Sequence, residues 1–279
     1  MRTQAEKAHD FRALHASDKI LILPNAWDTP SARLFEDMGF PAVATSSAGL
    51  MVSLGYPDGE TIPRRELVRA VGRIASRLAV PLSADVVAGF GRTPREVVAT
   101  VRAIIRAGAV GINLEDTDPR SHTLFPTKAQ SSKIQAICRL GESMRIPIVI
   151  NARTDAFRGP GPAGSRLQET ILRCTAYRDA GADCVYPMGV VEAADISAVV
   201  KAVQAPVNVM IRRGLPPIQE LVRLGVKRVS FGPDASYAAM GLLRRASREV
   251  LEEGTYESLL QGALTHDELN SLAVPRPSP

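Results

Sequence analysis

The chain has 279 residues, 45% of them hydrophobic, and 34 Lys and Arg against 29 Asp and Glu give a formal charge of +5. That length suits one large domain with its own core, and the basic residues are scattered along helical segments without interleaved aromatics, which argues against a nucleic-acid partner. No stretch approaches about 18 consecutive apolar residues and Met1 to Asp10 is polar, so neither a membrane span nor a signal peptide is expected and the protein is placed in the cytoplasm; its three cysteines, Cys138, Cys174 and Cys184, lack C-x-x-C spacing and read as buried thiols of a reducing compartment, not zinc ligands.

In chain order, the first apolar run, Ile20–Asn25, leads into Pro24-Asn25-Ala26-Trp27-Asp28 and lacks the Gly-rich turn that opens a doubly wound sheet. Ala42–Ser46 reads as a second strand, followed by the turn sequence Leu54 to Gly59 and a helix over Pro63–Ala79. Val80–Asp85 reads as the third strand, and Gly89-Phe90-Gly91 after it allows close backbone approach. A helix over Thr93–Ala107 has Thr93 as N-cap, Pro94 at its first position and Glu96 at its third, and it ends before Gly108.

Strand Val110–Glu115, helix Lys128–Met144 and strand Pro147–Ala152 follow, the last running into Arg153-Thr154-Asp155. Beyond them come helix Ser165–Ala180, strand Asp183–Pro187, helix Glu192–Val203, strands Pro206–Met210 and Arg228–Phe231, a long helix over Tyr237–Glu253 and a short one over Tyr256–Gly262. Eight short β-branched runs alternating with helices predict an α/β fold, a parallel eight-stranded (β/α)₈ barrel. The expected organisation is a single domain, residues 1–265, with an N-terminal helix and C-terminal helices. Residues 266–279, ending in Pro275-Arg276-Pro277-Ser278-Pro279, are expected to form a disordered tail.

In such barrels the strand C-termini carry the chemistry. Asp85 and Glu115 end neighbouring strands and form a donor set suited to Mg²⁺, which uses one or two protein carboxylates and keeps several waters; the alternative is that each caps a helix or pairs with Arg153. Arg153 offers a guanidinium fork to a carboxylate or enolate oxygen, or else pairs with barrel acids. Ser46 and Ser47 can donate backbone and hydroxyl groups to an oxyanion. Asp58 reads as either a turn aspartate or a site residue, and His122, in the loop after Glu115, as a proton donor or an ordinary loop histidine.

Taken together, these segments resemble the isocitrate lyase / phosphoenolpyruvate mutase superfamily. The residues that carry the resemblance are Pro24 to Asp28 with Ser31-Ala32, Gly39-Phe40, Ser46-Ser47, Leu54 to Asp58, Ala84-Asp85 with Gly89-Phe90-Gly91, Gly111 to Asp116, Ala152 to Ala156, and Tyr177 to Asp183. The resemblance implies a barrel whose last helix is exchanged between subunits of a homodimer or homotetramer. It also implies Mg²⁺-dependent chemistry on a small carboxylate substrate through a pyruvate-like enolate. By position, Ser46, Asp58 and Arg153 would be catalytic, Trp27, Ser46, Ser47, Asn113 and Arg153 would contact substrate, and Asp85 and Glu115 would hold the metal.

Three departures bear on the reaction. Val87 stands where the family carries a second acid; the stretch Asp118 to Thr123 lacks the cysteine of the lyases, leaving His122 as the nearest proton donor; and strand six ends in Tyr186-Pro187-Met188-Gly189 instead of an acid or histidine. The expected function is a Mg²⁺-dependent lyase that cleaves or forms a C–C bond beside a carboxylate in a 2-oxo or 2-hydroxy acid, with residues 117–126 as a lid. The alternatives are a phosphonate mutase or hydrolase, or a catalytically weakened ligand-binding barrel.

Overall fold

The computed structural model describes residues 2–274. Its strands are β1 Leu21–Leu23, β2 Asn25–Ala26, β3 Val43–Thr45, β4 Leu82–Asp85, β5 Gly111–Glu115, β6 Val149–Thr154, β7 Cys184–Pro187, β8 Asn208–Met210 and β9 Arg228–Ser230. All pair in parallel, β2 through β7 in one six-stranded sheet and β1, β9 and β8 in a second. A parallel bridge between Val185 and Val207 links β7 to β8, and β1 and β2 are separated only by Pro24.

The first predicted strand is therefore two pieces of one extended segment. Pro24 has no N–H to give a ladder, and around it the segment changes partner: Leu21–Leu23 pairs with Arg228–Ser230, and Asn25–Ala26 with Ala44–Thr45. The resulting order of neighbours is that of a (β/α)₈ barrel.

Side-chain alternation sorts the strands into two faces. Ile112, Leu114, Ile150, Ala152, Val185, Val209 and Val229 pack outward under the helices, against Val97, Val101 and Ile104 of helix Pro94–Arg106 and Ile134 and Ile137 of helix Thr127–Met144. Each buried Val, Leu or Ile among them contributes about 1.5–3 kcal/mol. The opposite parity, Ser83, Asp85, Asn113, Asn151, Arg153, Asn208, Arg228 and Ser230, lines a central cavity.

Helix Gln4–Ala16 covers the N-terminal ends of the strands. Gln4 Nε2 donates to Ile105 O at 2.6 Å, Lys7 Nζ to Leu78 O at 2.7 Å, and Arg12 pairs with Asp183 at 3.0 Å. Phe11 seals the floor against Gly111, where a Cβ would lie 2.5 Å from the ring, so any larger residue there would force a shift.

Thr93 and Glu96 form the expected capping box, and Gly108 and Gly181 follow their helices with φ of +107° and +102°. Helices Thr29–Asp37, Ser47–Ser53 and Ile218–Arg223 were not among the predicted elements.

The tail expectation needs correction. Residues His266–Ala273 are helical, started by a Thr265/Glu268 capping box, and Leu272 is buried where this helix packs on Thr29–Asp37 of the same chain. The Pro-rich segment Pro275–Pro279 lies outside the described residues. Among the described residues, no helix is long and apolar enough to cross a membrane.

Candidate active site

The cavity, about 410 Å³, opens at the C-terminal ends of the strands. Arg153, at the end of β6, sits between two acids. Its Nη1 donates to Glu115 Oε1 at 2.7 Å, while Nε and Nη2 donate to Asp155 Oδ1 at 3.1 and 3.0 Å. Register explains the first contact, because Glu115 and Arg153 are directly paired across β5 and β6.

Asp155 is fixed from below. Its backbone N–H donates to Asp116 Oδ1 at 3.0 Å, and Asp116, fully buried, also accepts from the Tyr177 hydroxyl at 2.7 Å and Arg173 at 3.2 Å. Thr117 adds a hydroxyl bond to Asp155 at 3.0 Å.

Burial shapes the protonation of this layer. Glu115 is 8% exposed, and burial pushes its carboxyl up to about 8 even though Arg153 opposes the shift. Burial also works against the Arg153 charge, but Glu115 and then Asp155 hold its pKa above the usual range. Its five donors are thus partly committed to acids, and the fork read from the sequence is narrower than a free guanidinium.

Asp85, at the end of β4, accepts from Ser47 N at 3.1 Å, Val87 N at 3.2 Å and Asn113 Nδ2 at 3.1 Å. Asn113 in turn accepts from Asn151 Nδ2 at 3.0 Å, so a polar chain crosses three adjacent strands. Val87 adopts φ +52° with its side chain buried in the core, an uncommon conformation for a β-branched residue. The backbone N–H of Val87, and not an acid, is what this position gives the site.

The two serines differ from their expected role in one respect. The Ser46 N–H donates to Ala26 O at 2.9 Å and the Ser47 N–H to Asp85, so neither backbone group is free for an oxyanion. The Ser46 hydroxyl caps helix Ser47–Ser53 by accepting from Gly49 N, which leaves its own hydrogen to donate into the cavity. Burial together with the Asp85 charge pushes the Asp58 carboxyl up, opposed by its bond from Gly59 N.

The structure therefore brings Ser46, Ser47, Asp58, Asp85, Asn113 and Arg153 to one cavity, with Glu115 paired to Arg153 behind them. Trp27 and His122 are not among the cavity residues. Trp27 packs beside Gly49, where a Cβ would lie 3.0 Å from its own. His122 is exposed at the tip of a hairpin closed by the Thr117–Leu124 bridge, with φ +54° and its N–H donating to Asp118 O.

Other cavity residues were given no site role from sequence: Asn25, Asn151, Arg158, Tyr186, Asn208, Arg212, Arg228 and Ser230. Inward parity on β8 and β9 was the available signal for Asn208, Arg228 and Ser230. The Tyr186 ring lies under Arg153, 5.9 Å from centroid to guanidinium carbon.

Residues 11–251 match the family described as phosphoenolpyruvate phosphomutase. A Burkholderia cenocepacia J2315 protein ascribed to the lyases and mutases superposes with a TM-score of 0.89 at 39% identity, covering 98% of this chain and 97% of that one. The 2-methylisocitrate lyase of Escherichia coli K12 is 29% identical over 269 residues, 93% of this chain and 89% of the relative. A phosphonopyruvate hydrolase solved with oxalate and Mg²⁺ superposes with a TM-score of 0.82 at 25% identity, covering 96% of this chain and 94% of that one.

Proposed function

This chain belongs to the phosphoenolpyruvate phosphomutase family and is an enzyme, and from that premise we propose a Mg²⁺-dependent carbon–carbon lyase. It cleaves or forms the bond beside a carboxylate in a small 2-oxo or 2-hydroxy acid, through a pyruvate-like enolate. The observation that carries this reading is that Asp85 and Arg153 line one polar cavity, with Glu115 paired to Arg153 behind it, at the ends of three adjacent strands.

The donor set fits Mg²⁺. Asp85 and Glu115 supply hard oxygens, and among the described residues no group of three His, Cys, Asp or Glu could cage an ion. Water and substrate oxygens would complete the shell, as Mg²⁺ prefers. Asp85 and Glu115 would hold the ion, and when bound it supplies Lewis-acid stabilisation of charge on the enolate oxygen.

The chain's own groups do the rest. Arg153 keeps Glu115 and Asp155 in place and presents its remaining N–H groups as donors toward a substrate carboxylate. Ser46 donates its hydroxyl hydrogen, and Asp58, which accepts from Gly59 N at 3.0 Å, lines the cavity beside Ser47. Asn113 and Asn151 hold Asp85 in orientation from within the barrel. The assembly follows the family in being oligomeric, and Tyr237, Met240, Leu243 and Leu251 on helix Asp234–Glu252 are exposed apolar residues available to it.

The test is a turnover screen of oxaloacetate, 2-substituted malates, isocitrates and phosphonopyruvate with and without Mg²⁺. Mg²⁺-dependent release of a 2-oxo acid, glyoxylate or oxalate from a carbon–carbon substrate is expected. Turnover of phosphonopyruvate alone would contradict the assignment.

A further inference from the structure

Arg228, on β9, is among the largest side chains that the fold buries, at 2% exposure. It faces the barrel interior: its neighbour Val229 packs outward in the main core, whereas Arg228 and Ser230 line the cavity. Among the described residues, no carboxylate comes within 4 Å of its guanidinium. Its Nη1 meets His15 Nε2 at 3.3 Å, and its Nε has no partner.

His15 brings no charge. Its Nδ1 lies 2.8 Å from Phe11 O, which requires the hydrogen on Nδ1 and leaves Nε2 as the acceptor for Arg228. Burial and then the Arg228 charge push the imidazole down to about 3, so it stays neutral throughout the range in which the protein is handled. The other groups nearby are neutral too: Asn208 and Ser230, 3.1 Å apart, and the thiol of Cys184 and phenol of Tyr186, both pushed up by burial. Asp85, in the layer above, acts on Arg228 only through space.

A guanidinium does not lose its proton inside a protein, and a buried charge without a counter-charge is among the costliest arrangements a fold can hold. We infer that the floor of the cavity is a binding site for a small monoanion, held by the terminal guanidinium N–H groups of Arg228 that His15 does not occupy, beneath the Asp85–Glu115–Arg153 layer. One unopposed guanidinium balances one negative charge, which favours a halide or a single carboxylate over a phosphate dianion. Both accept charge-assisted N–H bonds in the same way.

The experiment uses the full chain crystallised from gluconate and soaked in sodium bromide, with anomalous diffraction. The expected result is a bromide at hydrogen-bonding distance from Arg228. In solution, bromide raises the wild-type Tm over gluconate at equal ionic strength, Arg228→Lys retains part of that rise, and Arg228→Met abolishes it. Oxalate with Mg²⁺ then separates the two sources. Bromide that stays identifies a resident inorganic ion, and bromide displaced from Arg228 identifies the seat of an organic carboxylate; either supports the site. Wild-type crystals with no bromide at Arg228 would overturn it, whether or not Arg228→Met folds and whatever reaction the enzyme catalyses.

Discussion

The strand-end layer of β4 to β6 and the loop that follows Glu115 are adjacent in sequence and opposite in construction. In the layer, Arg153 is tied to Glu115 and Asp155, Asp155 to Asp116, Asp116 to Tyr177 and Arg173, and Asp85 to Asn113. The loop is tied to the rest of the fold at its base, where Asp118 pairs with Arg92 and Phe125 is buried over Lys133, while Arg120 to Thr123 stand exposed at its tip. A charge layer braced on every side keeps its geometry whether or not ligand is present, which is what electrostatic preorganisation requires. The exposed tip is held by bonds within the loop itself, His122 N–H to Asp118 O and Ser121 to Thr123, and it is also where the sequence departs from the resemblance.

Replacing Arg153 by Met should break this contrast most severely. It leaves Glu115 as a buried acid without its cation and Asp155 facing Arg158 at 3.7 Å, and a loss of about 3–5 kcal/mol in urea unfolding is expected, as for other broken buried pairs. A loss within the range of a surface mutation would show that the layer is not coupled as described.

The next effect is a pH dependence. Burial pushes the Glu115 carboxyl up to about 8 in the folded chain, above its ordinary carboxylate value. The folded state therefore holds a proton that the unfolded state releases, and the stability from that proton is full below the unfolded value and lost as pH rises toward about 8. Glu115→Gln should flatten this part of the stability profile relative to wild type, measured as Tm against pH. Identical slopes in the two proteins would locate the shift elsewhere.

Tyr177→Phe should cost about 1–3 kcal/mol, because it removes the hydroxyl from a fully buried carboxylate without opening a large cavity. His122→Ala should change stability by less than about 0.5 kcal/mol, as expected for an exposed loop substitution, and leave turnover within a few fold. A large loss of turnover with unchanged Tm would instead return His122 to the chemistry.

How much of this was legible in the sequence follows from where each signal lies. Asp85, Glu115 and Arg153 could be read directly, because each terminates a β-branched run and a barrel places such ends together. That Arg153 is already engaged by Asp155 could not, since the bond depends on how the chain turns after β6. Arg228 was hidden for a different reason: it opens its strand instead of ending it, and only the parity of β9 shows that it points inward. Thr265 and Glu268 carried a visible capping signature, but the prolines that follow drew the whole segment into the expected tail.

The central claim is that Asp85, Glu115 and Arg153 form a metal–enolate site, and calorimetric titration of oxalate, a mimic of the pyruvate enolate, with and without Mg²⁺ tests it most directly. The account predicts oxalate binding that requires Mg²⁺ in the wild type and is lost in Asp85→Asn. Binding of equal strength without Mg²⁺, or undiminished binding in Asp85→Asn, would contradict it.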